Sequence, residues 1–390
     1  MFEEGFIAGR EKSAHLCVYV GEEMVVNLWH SINNNTYTNN TLTTIFSSSK
    51  NLPCIAMAML HDRGLLCYDA KIEEYWPEFK GNGKEGITVA DVLRHEAGFA
   101  NFPLHVESIE MLFAENIKKN SIGSLYEDST PSYPSHGKRQ YHGVTRGFLL
   151  NELFRRIEPS GCTIGEFLRR EISDKQSVRV FIGVTEDELE DYDPVETAGV
   201  ITSSRVAMSS LPYSSWPSFM MEIMWSSLPF TVGGKPSDYT VVSDQEVRQA
   251  ELPSVCANAS AEGLGKLAAF MANKGELGME RIMSENSWKV MHAGVTDAGL
   301  LGDVAMTHFS QGGVNRYQRD DFFCCGRDEF WGWMGYGGSV FQWHPELKIG
   351  FAYVPSGLEW SDLTNMRGGL LQEEVVRCVN SISCSVDSSD

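Results

Sequence analysis

Thr44-Ile45-Phe46-Ser47-Ser48-Ser49-Lys50 runs directly into an apolar stretch, and the pair Ser47 and Lys50 sets the reading of the whole chain. Beyond the pair, Leu52, Ile55, Ala56, Met59 and Leu60 recur at the spacing of an amphipathic helix, which Gly64 ends. Pro53 is tolerated only near a first turn, so the helix is predicted to begin close to Lys50. A serine three residues before a lysine puts both side chains on one helix face. Unpaired backbone N–H groups and the positive dipole end at a helix N-terminus favour an alkoxide and the anion formed next. S-x-x-K is accordingly a mark of serine acyl-transfer chemistry. The plainer role for Ser47 is a helix cap. A second match, Ser135-His136-Gly137-Lys138, lies in a Pro/Ser/Gly-rich loop with no helix after it.

Working outward, the 390 residues are 42% hydrophobic and 22% charged, the composition of a globular protein with ample core. Lys plus Arg is 32 against 52 for Asp plus Glu, a net charge of −20 that disfavours nucleic acid and anionic membranes as partners. No run of 18 apolar residues exists, so no membrane span is expected. Met1-Phe2-Glu3-Glu4-Gly5 is acidic and carries no apolar signal-peptide region, which points to a cytoplasmic location. The nine cysteines are odd in number and irregularly spaced, with no C-x-x-C pair and no zinc pattern. They are expected to be mostly free, buried thiols, and no metal is expected.

Leu16 to Val20 and Met24 to Trp29 read as a hairpin around Gly21-Glu22-Glu23. A polar loop from Asn33 to Thr44 leads to the Ser47 helix. Further helices are predicted from Thr88 to Leu93, from Val144 to Arg156, from about Glu262 to Lys274, and from Gly369 to Asn380. A second hairpin pairs Gly338–Trp343 with Ile349–Val354 around His344-Pro345-Glu346. Strands at both ends with helices between them imply an α+β fold. One antiparallel sheet is built from the N- and C-terminal segments and flanked by helices, with a mostly helical inserted region. The chain is read as a single domain over residues 1–390, with an α/β lobe at about 1–80 and 255–390 and a helical lobe at about 81–254.

Several segments together resemble the serine β-lactamase-related family: class C β-lactamases, penicillin-binding-protein-like hydrolases and family VIII esterases. They are Phe46-Ser47-Ser48-Ser49-Lys50, His61-Asp62-Arg63-Gly64-Leu65-Leu66, Tyr75-Trp76-Pro77-Glu78-Phe79, Val92-Leu93-Arg94-His95-Glu96-Ala97-Gly98, Tyr141-His142-Gly143 and Gly337-Gly338-Ser339. The likeness runs from about Phe6 to Val379 and implies the β-lactamase/transpeptidase-like fold. It implies Ser47 as nucleophile, with Lys50 and Tyr141 sharing the base role. The literal Y-x-N string, Tyr37-Thr38-Asn39, precedes the nucleophile and is set aside. Tyr141-His142-Gly143 takes that motif's place, with the Tyr-His of the esterase-like branch.

The family's K-T-G is absent, and Trp333-Met334-Gly335 stands where it belongs. A tryptophan cannot make the lysine's charge-assisted bond to a β-lactam carboxylate. By the same resemblance the backbone N–H groups of Ser47 and Tyr336 form the oxyanion hole. Trp333, Gly335, Gly337 and His142 line the substrate pocket, and no cofactor is needed. His95 is read as a packing residue. The implied activity is an esterase-like serine hydrolase acting on a small-molecule ester or amide through an acyl-enzyme. Alternatives are a peptidase, an amidase or a weak β-lactamase of the same fold, or a catalytically silent scaffolding or binding relative. Oligomeric state and physiological substrate are not specified by any of these residues.

Overall fold

The computed structural model describes residues 1–100, 106–134, 138–197, 239–300, 305–359 and 364–387. The second S-x-x-K match at Ser135 therefore begins outside the described residues. In chain order the elements that build the site are β1 (Ser13–Val20), β2 (Glu23–Ser31), β3 (Thr43–Thr44), α1 (Asn51–Asp62), α2 (Val89–Leu93), α3 (Thr145–Ile157) and β4 (Val180–Ile182). They continue with β5 (Ala257–Ala259), α4 (Ala261–Ala272), β6 (Thr296–Gly299), β7 (Met306–Phe309), β8 (Asn315–Arg316), β9 (Trp331–Met334), β10 (Val340–His344), β11 (Ile349–Pro355) and α5 (Met366–Asp387).

The main sheet, eight-stranded among the described residues, has the order β2-β1-β11-β10-β9-β8-β7-β6 and is antiparallel throughout. β1 is the seam between the termini, pairing Ala14 with Pro355 at one end and Val20 with Ile349 at the other. Both expected hairpins are present, the first turning at Gly21, whose φ of 62° suits glycine. α4 lies close on one face, and the sheet admits it through glycine. A Cβ at Gly265 would sit 2.6 Å from Cys17 Sγ, and one at Gly350 would sit 2.5 Å from Ala269 N. Leu264, Leu267, Ala268 and Met271 are fully or almost fully buried there, as their spacing predicts. A second apolar cluster joins Leu16, Val18, Val340, Phe351 and Tyr353 to Leu371, Val375 and Val376 of α5.

Two elements differ from the sequence reading. α5 begins at Met366, three residues before the predicted start at Gly369. Gly368 and Gly369 lie inside it because Val340 and the Cys325 carbonyl come too close for a side chain. The Asn/Thr loop ends in a short strand, β3, which joins β5 and β4 in a three-stranded sheet beside the Ser47 turn. A two-residue strand carries no readable alternation, so its pairing is visible only in three dimensions. Of the eight cysteines whose side chains are described, all are free and five are buried: Cys17, Cys54, Cys162, Cys256 and Cys324. Among the described residues no helix is long and apolar enough to cross a membrane.

Candidate active site

A tight turn from Phe46 to Lys50 feeds α1. Phe46 adopts a φ of 44°, a region that bulky residues seldom occupy. Ser47, which follows it, is the one residue from Thr41 to Lys50 that is not buried. Its Oγ lies 3.1 Å from Lys50 Nζ and 2.7 Å from Tyr141 Oη. Tyr141 and Tyr336 are likewise partly exposed, whereas Lys50 beneath them is only 2% exposed.

Lys50 Nζ also donates to the carbonyls of Gly143 at 2.7 Å and Ser254 at 2.9 Å, and lies 4.8 Å from the Tyr141 ring centroid. Burial drives its pKa well below the ordinary lysine value, and the Arg146 cation adds to the effect. A neutral amine has two N–H donors and one lone pair. The two carbonyls take the donors, which leaves the lone pair for the serine hydroxyl. Burial raises the Tyr141 phenol, opposed by hydrogen bonds with Ser47 and Trp333 and by Arg146. An ammonium beside a phenolate is thus opposed at both groups by desolvation.

The other anticipated residues fall into place unequally. Trp333 is 6% exposed, its Nε1 donating to Tyr141 Oη at 3.3 Å, and its ring packs among Phe309, Tyr317 and Phe323. It therefore backs the phenol as well as filling the core. Gly335 permits close approach of the turn after β9 to the Ser47 turn. A Cβ there would lie 2.3 Å from Ile45 O and 3.1 Å from Ser48 N. Gly337, at φ 78°, packs on Leu358. Tyr336 meets Phe46 edge to face at 5.6 Å, and the backbone of the preceding Gly335 lies against the Ser47 turn.

His142 does not line the opening. It is fully buried, its Nδ1–H donating to Gln140 O at 2.6 Å and its Nε2 accepting from Phe99 N–H at 2.9 Å. Burial lowers its pKa to about 3. Both nitrogens are spent on backbone, so the ring fixes the loop that carries Tyr141. His95 is also fully buried, accepts the His142 N–H at 3.0 Å and lies 5.1 Å from the Tyr141 ring. Tyr37 and Asn39 have other neighbours, Asn39 donating to Glu262 at 2.6 Å.

The sequence reading missed the carbonyls of Gly143 and Ser254, which no residue type announces. It also missed Asn365, whose Nδ2 donates to Gly335 O at 2.9 Å and to Ser339 O at 2.8 Å, bridging the ends of the Tyr336 turn. Among the described residues no cluster of three His, Cys, Asp or Glu is placed to hold a metal. Gly335→Ala should cost about 1–3 kcal/mol of stability through overpacking. Urea unfolding measures the loss, and an unchanged midpoint would mean the two turns are not tightly coupled.

The family model described as Beta-lactamase matches residues 2–373. Esterase/beta-lactamase LipL of Mycobacterium tuberculosis is 25% identical over 383 residues, covering 92% of this chain and 80% of that protein. A penicillin-binding protein homologue from Caulobacter crescentus superposes with a TM-score of 0.75 at 24% identity, covering 94% of each chain. A family VIII carboxylesterase does so at 0.76 and 20% identity, covering 95% of each chain. At these identities the structural likenesses speak to the fold. Because the family model spans nearly the whole chain, Ser47 and Lys50 included, the protein belongs to the Beta-lactamase family of serine hydrolases.

Proposed function

We propose that this chain is an esterase-like serine hydrolase acting on small acyl esters through an acyl-enzyme at Ser47. The observation that carries the reading is a partly exposed hydroxyl flanked by a buried amine at 3.1 Å and a phenol at 2.7 Å. Lys50 takes the Ser47 proton as Oγ attacks the carbonyl carbon. Tyr141, whose Oη lies 2.7 Å from the same oxygen, gives its proton to the departing alkoxide, the Lys50 ammonium restores the phenol, and the pair then activates the water that cleaves the acyl-enzyme. The N–H groups of Ser47 and Tyr336 hold the oxyanion, each contributing on the order of 3 kcal/mol in the transition state.

Ester over β-lactam is favoured by Trp333, whose indole N–H is directed to the phenol where a lysine would meet a carboxylate. The name of the Mycobacterium tuberculosis relative joins both activities, so weak β-lactam hydrolysis is the second reading. A panel of p-nitrophenyl esters, nitrocefin and short peptides decides. Turnover of esters well above the other two is expected, and nitrocefin or peptide turnover above every ester would overturn the assignment. Tyr141→Phe should lower kcat on the best ester by about 10²–10⁴-fold. An unchanged steady-state rate would take Tyr141 out of the mechanism.

A further inference from the structure

Arg146, in the first turn of α3, is 1% exposed. Its Nη2 donates to Cys54 Sγ at 2.6 Å and lies 3.4 Å from Gly313 O, and its Nη1 lies 3.1 Å from His95 Nε2. Its Nε is buried without a hydrogen-bond partner, and among the described residues no carboxylate forms an ion pair with it. Gly313, at φ 79°, closes over the guanidinium so tightly that a Cβ there would lie 2.8 Å from Nη2. A guanidinium keeps its charge in proteins, and an unpaired buried charge is costly. It rests against Cys54, which lies one helical turn beyond Lys50 and whose Sγ also donates to Lys50 O at 3.2 Å. On its other side it touches His95, whose ring stacks obliquely on Tyr141.

We propose that Arg146 is a positioning residue for the reaction, an uncompensated buried cation held against the Lys50 end of α1 that reinforces burial in readying the amine to accept the Ser47 proton. The inference rests on the Ser47–Lys50 reading above. The titratable groups around Lys50 are Cys54 on its own helix, His95 after α2, and Tyr141 and His142 in the loop before α3. Burial raises Cys54 and Tyr141 and lowers both histidines, so all four are neutral near pH 7. That leaves Arg146 as the charge acting on the amine among these neighbours. A cation disfavours a second cation nearby, and the low-polarity surroundings strengthen the effect.

The test is the pH profile of Ser47 acylation, read by a fluorophosphonate probe or a p-nitrophenyl ester. In Arg146→Met the acidic limb should move to higher pH by about one unit, a tenfold loss of rate at a pH on that limb. Arg146→Lys keeps the charge and should leave the limb where it is, whatever its effect on kcat. Cys54→Asp keeps the guanidinium but pairs it with a carboxylate, and should shift the limb in the same direction as Arg146→Met. A structural role alone would lower the rate equally at every pH. An unmoved limb in folded Arg146→Met, or an equal shift in Arg146→Lys, overturns the proposal. If Arg146→Met does not fold, an unmoved limb in Cys54→Asp overturns it. Failure of the underlying reading would look different, because the unmodified protein would then not be labelled at Ser47 at all.

Discussion

Ser47→Ala should abolish labelling by a fluorophosphonate probe and cut ester turnover by on the order of 10⁵–10⁶-fold, while leaving the fold intact. The hydroxyl is the point where the amine of Lys50 and the phenol of Tyr141 converge. Ser48, next to it, is fully buried and bonded to the Ser339 carbonyl and hydroxyl, so it cannot substitute. Ser49 is fully buried as well, its Oγ accepting the Ala257 N–H at 3.0 Å. Removing one partly exposed oxygen should move the thermal midpoint by about 2 °C or less. Intact-mass spectrometry reads the adduct and calorimetry reads the fold. Probe adducts on another serine in folded Ser47→Ala would refute the nucleophile.

Lys50→Met comes next in size. Methionine fills nearly the same space but supplies neither a basic nitrogen nor a donor. Acylation should slow by about 10²–10⁴-fold, and stability should change by only about 1–3 kcal/mol, because the Gly143 and Ser254 carbonyls lose their shared donor. The unmodified enzyme should carry the matching pH signature. Only the neutral amine accepts a proton, so acylation falls as pH drops through the lowered Lys50 value and is full above it. Lys50→Met should lack that limb. Stopped-flow acylation from pH 4 to 9 separates the outcomes, and a retained limb with a near-native rate would assign the base to another group.

The legible parts were those where chemistry is written in residue types at fixed spacing. Ser47 and Lys50 belong to that class, Tyr141 was reached only through the family resemblance, and the structure brings the three together. The hairpins were legible because apolar strands flank turn residues, and α4 because its small and apolar residues repeat every three or four positions. Backbone carbonyls carry no such signature, so the cradle of Lys50 was invisible. His142 was misread because adjacency to Tyr141 in sequence says nothing of ring direction, and its two nitrogens turn inward to Gln140 and Phe99. Arg146 went unnoticed because an arginine on a helix is usually a solvated one.

The pairing of β1 with β11 has a consequence for biosynthesis. β1 leaves the ribosome more than 300 residues before its inner neighbour does, an interval of about 15–65 s at ordinary elongation rates. During that interval β1 has only β2 to pair with, and the Ser47 turn lacks the Ser339 hydroxyl that braces Ile45. Nascent chains should therefore depend on chaperone holding. Hydrolytic competence should switch on late, only once the last strands have been translated and inserted.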